Sequence, residues 1–168
     1  LLHWLINIYI WIMRGTPLLL QLIFIYYVLP SIGVRLDRLP AAIIAFTLNY
    51  AAYFAEIFRG GILSIPAGQY EAAKVLKFTP FQTIRFIILP QVVKVVLPSV
   101  FNEVMTLVKD TSLVYALGVS DLILASRTAA NRDASLAPMF IAGAIYLVLI
   151  GLVTIVSKQV ENRYSYYK

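Results

Sequence analysis

The sequence predicts an all-α membrane protein, a bundle with four transmembrane spans present and a short polar helix between two of them. Three observations carry that prediction. Hydrophobic residues make up 61% of the 168 and charged residues only 13%, with a mean hydropathy of +0.83, outside the range of soluble domains. Several uncharged runs reach or approach the ~20 residues needed to cross ~30 Å of hydrocarbon. Between them, at positions 71 to 90, lies EAAKVLKFTPFQTIRFIILP, which carries Glu71, Lys74, Lys77 and Arg85.

The elements follow in chain order as one domain over 1–168. Leu1 to Met13 (LLHWLINIYIWIM) is too short to cross and holds His3, Asn7 and two Trp, which suits a helix lying in the interface. A secretory signal fits poorly, because no basic segment precedes the run and no small-residue cleavage site follows it. Gly15 to Val34 is a span that opens with Pro17 and closes at Pro30 and Gly33. Leu39 to Ala55 is shorter and extends through Glu56 to Phe58. A polar loop covers about 64–80. Phe86 to Val119 is apolar but interrupted by Lys94, Glu103, Lys109 and Asp110, and its Pro90 and Pro98 suggest kinks or a break. Ala134 to Ser157 is the cleanest span. Ala41, Ala45, Ala51, Ala52, Ala55, Gly143 and Gly151 supply the small residues that let membrane helices approach.

Charge sets orientation and excludes function classes. The terminal segments and the 56–85 loop hold Arg14, Arg59, Lys74, Lys77, Arg85, Lys158, Arg163 and Lys168, against Arg35, Arg38, Arg127 and Arg132 in the opposite loops. Positive residues favour the cytoplasm, so both ends and the polar helix face inward in a multi-pass protein of the cytoplasmic membrane. The net charge of +6 comes from scattered cations, not a stripe, so lipid or an acidic protein face is expected and nucleic acid is not. With no cysteine, disulfides and thiolate sites are excluded. No metal-ligand cluster and no phosphate-binding G-x-x-x-x-G-K-[ST] occurs, and His3 is far in sequence from any acid that would orient it. No cofactor is expected on this chain.

The polar helix is either a plain connector or a device for touching something soluble. On residues alone, Glu71 and Lys74 form an i, i+3 pair, Ala72 and Ala73 allow close approach of another surface, and Thr79 before Pro80 would cap the next helix. Glu71-Ala72-Ala73 and then Ile87, Leu89 and Pro90 resemble the EAA loop of permease subunits from ATP-binding-cassette importers. RGTPLLLQ at Arg14 to Gln21, AAYFAEIFRGGI at Ala51 to Ile62 and KDTSLVYALGVSDL at Lys109 to Leu122 are similar to the polar amino acid branch of those importers. The resemblance implies that Glu71, Ala72, Ala73, Lys74 and Lys77 belong to a coupling helix docked on a cytoplasmic ATP-binding subunit. It implies further partners as well: a second permease subunit, the same or related, and an extracytoplasmic amino acid-binding protein or domain. ATP would be used by the partner subunit. Two departures stand out. The family's Gly is Lys77 here, so the turn must differ or carry strain. The family normally has five spans, and the chain is expected to lack the first.

A substrate pathway is expected along the interrupted span. At about 100° per residue, Ser99, Asn102, Glu103, Thr106, Lys109 and Asp110 fall within an arc of roughly 120°. Ionisable groups at bilayer depth cost at least ~2.5 kcal/mol and tend to face partners or a wet cavity. Asn49, Tyr53 and Glu56 share a face at i, i+4, i+7 and could line the same cavity. In the family the cargo is a zwitterionic amino acid, with Glu103 suited to its amine and Lys94 or Lys109 to its carboxylate. Other readings remain at this stage. Lys109 and Asp110 could pair at the far interface, Glu103 could bond a neighbouring helix, and the chain could serve an ion-gradient-driven transporter or channel, or only an anchor.

Overall fold

The computed structural model describes residues 2–164; Leu1 and Lys168, used above in placing the first helix and the charge asymmetry, lie outside them. Seven helices and no strand occur among the described residues: α1 Leu2–Gly15, α2 Leu18–Ile32, α3 Arg38–Leu63, α4 Ala67–Val75, α5 Pro80–Leu117, α6 Leu122–Asp133 and α7 Ala137–Tyr164. Three of them, α3, α5 and α7, are long and apolar enough to cross a bilayer. The expected Gly15–Val34 span is α2, which alone falls short of the ~20 residues required and meets the requirement only together with α1, from which it is bent by 106°.

Prolines shape the long helices without ending them. A helical Pro clashes with the carbonyl four residues back and offers no N–H. Ahead of Pro30 and Pro90 the helix loosens into π turns, Phe24–Val28 and Thr83–Ile88, so that Leu29 N–H bonds Phe24 and Leu89 N–H bonds Ile84. The expected break does not occur: α5 runs as one helix through Pro90, which follows the π turn, and through Pro98. Thr79 starts α5 as expected: its hydroxyl accepts from Gln82 N–H at 3.3 Å, while its own N–H donates to Gln82 Oε1 at 2.8 Å.

Two apolar clusters hold the bundle. Leu22 and Ile25 of α2 meet Ala41, Ala42 and Ala45 of α3 and Leu117 of α5. Above them Arg38 ties three elements, donating to Tyr26 Oη at 3.4 Å and to the Gly118 carbonyl at 3.2 Å. At the other end Ile65 packs on Ile88, Val92 and Val96. Small residues serve contact only in part. Ala41, Ala45 and Ala52 are buried, whereas Ala51 and Ala55 are exposed, and nothing lies within 4 Å of a Cβ built at Gly143 or Gly151.

Among the glycines, Gly61 is the one packed tightly against another helix, where an added Cβ would collide with Val96 Cγ1. Val is stiff about χ1 and cannot swing aside freely. Gly61→Ala is expected to lower stability by about 1–3 kcal/mol. Thermal unfolding of the purified chain should show the loss, and Val96→Ala should recover part of it.

Candidate functional site

The site begins where α1 stops. The residue before a proline is pushed out of the helical region, so the chain breaks at Gly15-Thr16-Pro17, and Pro17 takes φ −61°, ψ 135°. A broken helix leaves carbonyls without partners. Gln21 fills them: its amide donates to Met13 O at 2.9 Å, Thr16 O at 3.2 Å and Thr16 Oγ1 at 2.8 Å. Its Oε1 accepts from Asn49 Nδ2 at 3.0 Å, and the same amide of Asn49 reaches Met13 O at 3.0 Å. The turn between α1 and α2 is thereby fastened to α3 by two amides, the half-buried Gln21 and the buried Asn49.

Beside this turn lies a cleft of 570 Å³, lined on α3 by Asn49, Tyr50 and Tyr53, on α5 by Glu103, Thr106 and Asp110, and at the turn by Arg14 and Thr16. Tyr50 donates to Asp110 Oδ2 at 2.8 Å, and Thr106 Oγ1 donates to the Asn102 carbonyl at 3.0 Å. Among the described residues Glu103 has no hydrogen-bond or ion-pair partner, and the Arg14 guanidinium acts on it only at longer range, a costly state for a half-buried carboxylate unless a ligand or water meets it. The Arg14 guanidinium lies 5.3 Å from the Tyr53 ring centroid and 3.5 Å from Glu56 Oε2. Arg59 grips the same Glu56 with two bonds, 2.8 and 2.6 Å.

Of the expected pathway residues, the cleft gathers Asn49, Glu103, Thr106 and Asp110. Asn102 and Lys109 are outside it: both are exposed on another side of α5, because the predicted arc is wider than the cleft. Lys94 lines hollows beside Pro66 and Glu161 instead. Lys109 and Asp110 do not pair, since Asp110 takes Tyr50. Asn49, Tyr53 and Glu56 do share a face of α3, with Asn49 bonded to the turn and Glu56 to two arginines. The freed backbone at Pro90 lies at the hollow with Ile65, Pro66 and Phe86, away from the cleft. Arg14, Gln21 and Tyr50 were missed as site residues. Gln21 had left a signal, as a lone amide in an otherwise apolar run; the Arg14 contact had none, because it joins residues distant in sequence.

The expected coupling residues lie on or just beyond α4. Ala73 is fully buried, while Glu71, Ala72, Lys74 and Lys77 are exposed. Glu71 and Lys74 form no ion pair, so the expected i, i+3 support is absent. Lys77 adopts the left-handed conformation, φ 58°, with Lys77 N–H bonding Lys74 O and Phe78 N–H bonding Ala73 O, each at 3.0 Å. That pattern is a Schellman cap. Lys77 thus takes the turn a glycine would take and carries its strain.

Residues 1–166 match the family described as "Binding-protein-dependent transport system inner membrane component". The chain belongs to that family. This permease is 39% identical over 168 residues to the L-cystine transport system permease protein TcyB of Bacillus subtilis (strain 168), covering 99% of this chain and 72% of the relative. It is also 39% identical over 162 residues to the arginine transport system permease protein ArtQ of the same organism, covering 95% and 74%. A crystal structure of an amino acid ABC transporter with histidines superposes with a TM-score of 0.86 at 34% identity, over 94% of the permease and 74% of that chain. An inward-facing MetNI methionine ABC transporter has the same fold at 21% identity, with a TM-score of 0.82 over 98% and 76%. Membership sets aside the ion-gradient-driven and anchor readings: the permease is a multi-pass subunit of an ABC importer.

Replacing Lys77 by Gly removes a left-handed side chain at some cost in unfolded-chain entropy, so Lys77→Gly is expected to stabilise the α4–α5 turn by about 0.5–1 kcal/mol. Slower proteolytic nicking within residues 76–80 would register it.

Proposed function

We propose that this permease moves a polar amino acid inward through the cleft beside Arg14, Glu103 and Asp110, and that a separate cytoplasmic ATP-binding subunit drives it through α4. The single observation that carries the proposal is the coexistence, on one long helix α3, of cleft residues Asn49, Tyr50 and Tyr53 and of the connection to exposed α4. A helix is stiff enough to pass displacement along its axis, and rocking of packed helices around a fixed site is a known route to alternating access. The names of the relatives, cystine, arginine and glutamine permeases, support a polar amino acid as cargo. Charged groups of both signs in the cleft suit a zwitterion.

In this proposal the whole chain is one permease domain with its ends and α4 on the cytoplasmic side. The 106° bend supports α1 lying along the interface while α2 turns into the bilayer, and the outward Trp4 and Trp11 suit that depth. A second permease subunit covers part of the exposed surface, and an extracytoplasmic amino acid-binding protein delivers cargo. Glu71 and Lys74, exposed and unpaired with each other, are free to meet charges on the ATP-binding subunit.

Two substitutions test the two halves. Glu71→Lys should leave the subunit inserted but reduce transport and its link to ATP hydrolysis by at least ~5-fold, the lower range of coupling energies. Parental pumping by that variant in proteoliposomes would require another docking site. Glu103→Gln should weaken uptake and affinity by about tenfold or more, the effect of losing one charged hydrogen bond. Unchanged uptake would remove Glu103 from the path.

A further inference from the structure

Several contacts in the cleft leave one cation underused. We infer that Arg14 is the group that receives the cargo's α-carboxylate, exchanging Glu56 for it; the inference rests on the cargo being an amino acid, as proposed above. Among the described residues Arg14 is the only cation lining the cleft, since Lys94 and Lys109 lie elsewhere. Its bond to Glu56 is long at 3.5 Å, against the ~2.7–2.9 Å of a well-formed charge-assisted hydrogen bond. Glu56 does not depend on it, because Arg59 already satisfies both oxygens at 2.8 and 2.6 Å.

The geometry leaves Arg14 with donors to give. A guanidinium offers five N–H groups in a planar fork that matches a carboxylate with two parallel bonds. The Arg14 Cζ stands over the Tyr53 ring, 5.3 Å from its centroid, a contact made through the guanidinium's charge that uses none of its N–H groups in a conventional hydrogen bond. The Arg14 side chain keeps 42% of its surface exposed. Glu103, also lining the cleft, makes no hydrogen bond or ion pair among the described residues and feels the Arg14 charge only at longer range, so spare donors and spare acceptors share one 570 Å³ space. A zwitterion brings the complement of both. Asp110 is less available for an amine, being held by Tyr50 at 2.8 Å.

The test uses the full chain assembled with its ATP-binding subunit in lipid nanodiscs, without the solute receptor. A pool of the twenty free amino acids is offered and the retained one identified. Its labelled form and its α-amide, which lacks the negative charge, are then titrated. The parental complex should bind the acid at least ~10-fold tighter than the amide, the discrimination one charged pair provides. Arg14→Gln should remove that preference by weakening the acid and leaving the amide nearly unchanged, whereas Glu56→Gln should tighten the acid. Equal binding of acid and amide by the parental complex would overturn the inference, even if Arg14→Gln fails to assemble. So would an Arg14→Gln complex that keeps the preference, or a Glu56→Gln complex that loses acid binding while keeping the amide. If the parental complex retains no amino acid, the cargo assignment itself fails and this inference with it; if it retains one without preferring acid over amide, only the role of Arg14 fails.

Discussion

Lipid supplies no hydrogen bonds and a packed wall excludes water, so backbone groups freed by an irregular turn against the bundle must be met by the protein. The permease depends on one such turn. Breaking the chain at Gly15-Thr16-Pro17 opens the cleft wall, and the break is tolerable only because Gln21 and Asn49 meet the carbonyls of Met13 and Thr16. The same bonds fasten α2 to α3 before the Leu22–Ala45 cluster adds its apolar contact. Cleft and bundle thus share one set of fasteners, and one polar residue that looks suited to cargo, Asn49, mainly holds the wall in place.

From that wall the long axis of α3 leads to the other working end. Gly61 lets α3 lie against α5 at Val96, and Ile65 continues the contact just before α4 begins. On the far side, the capped turn at Lys77 and the Thr79–Gln82 box fix how α4 enters α5. A short helix held at both ends by packed spans moves with them. Its exposed face, with Val75 and Leu76 uncovered beside Glu71 and Lys74, is an amphipathic surface of the kind partner proteins bury.

The large features were legible because they follow from solvent and local chemistry. Long apolar runs in a chain of mean hydropathy +0.83 can satisfy their backbone only as helices, and α3, α5 and α7 formed where those runs lie. Thr79 before Pro80 is a local cap signal and formed the cap. The π turns ahead of Pro30 and Pro90 were not legible, because the sequence marks only the strain and not the way it is relieved. Helix α6 was passed over as a loop: its mixed residues show no strong apolar period, and what starts it is Asp121, whose carboxylate accepts from the N–H groups of Ile123 and Leu124. Periodicity put Glu103, Thr106 and Asp110, which line one cleft, in the same arc but could not separate them from Asn102 and Lys109, since only packing against α3 decides which part of a polar arc faces a cleft. Arg14 was unreadable as a cleft residue for the same reason: its neighbours Tyr53 and Glu56 come from another helix.

The central claim is that a cleft inside the membrane is joined by one continuous helix to an inward-facing segment that a soluble motor can grip. The native chain contains no cysteine, so single cysteines introduced along Ala67–Val75 can be labelled without background. Membrane-impermeant thiol reagents applied to intact cells and to inverted vesicles give the most direct measurement. Labelling only in inverted vesicles, diminished when the ATP-binding subunit is assembled, is the predicted result. Labelling from outside intact cells would contradict the account, because no cytosolic motor could then reach α4.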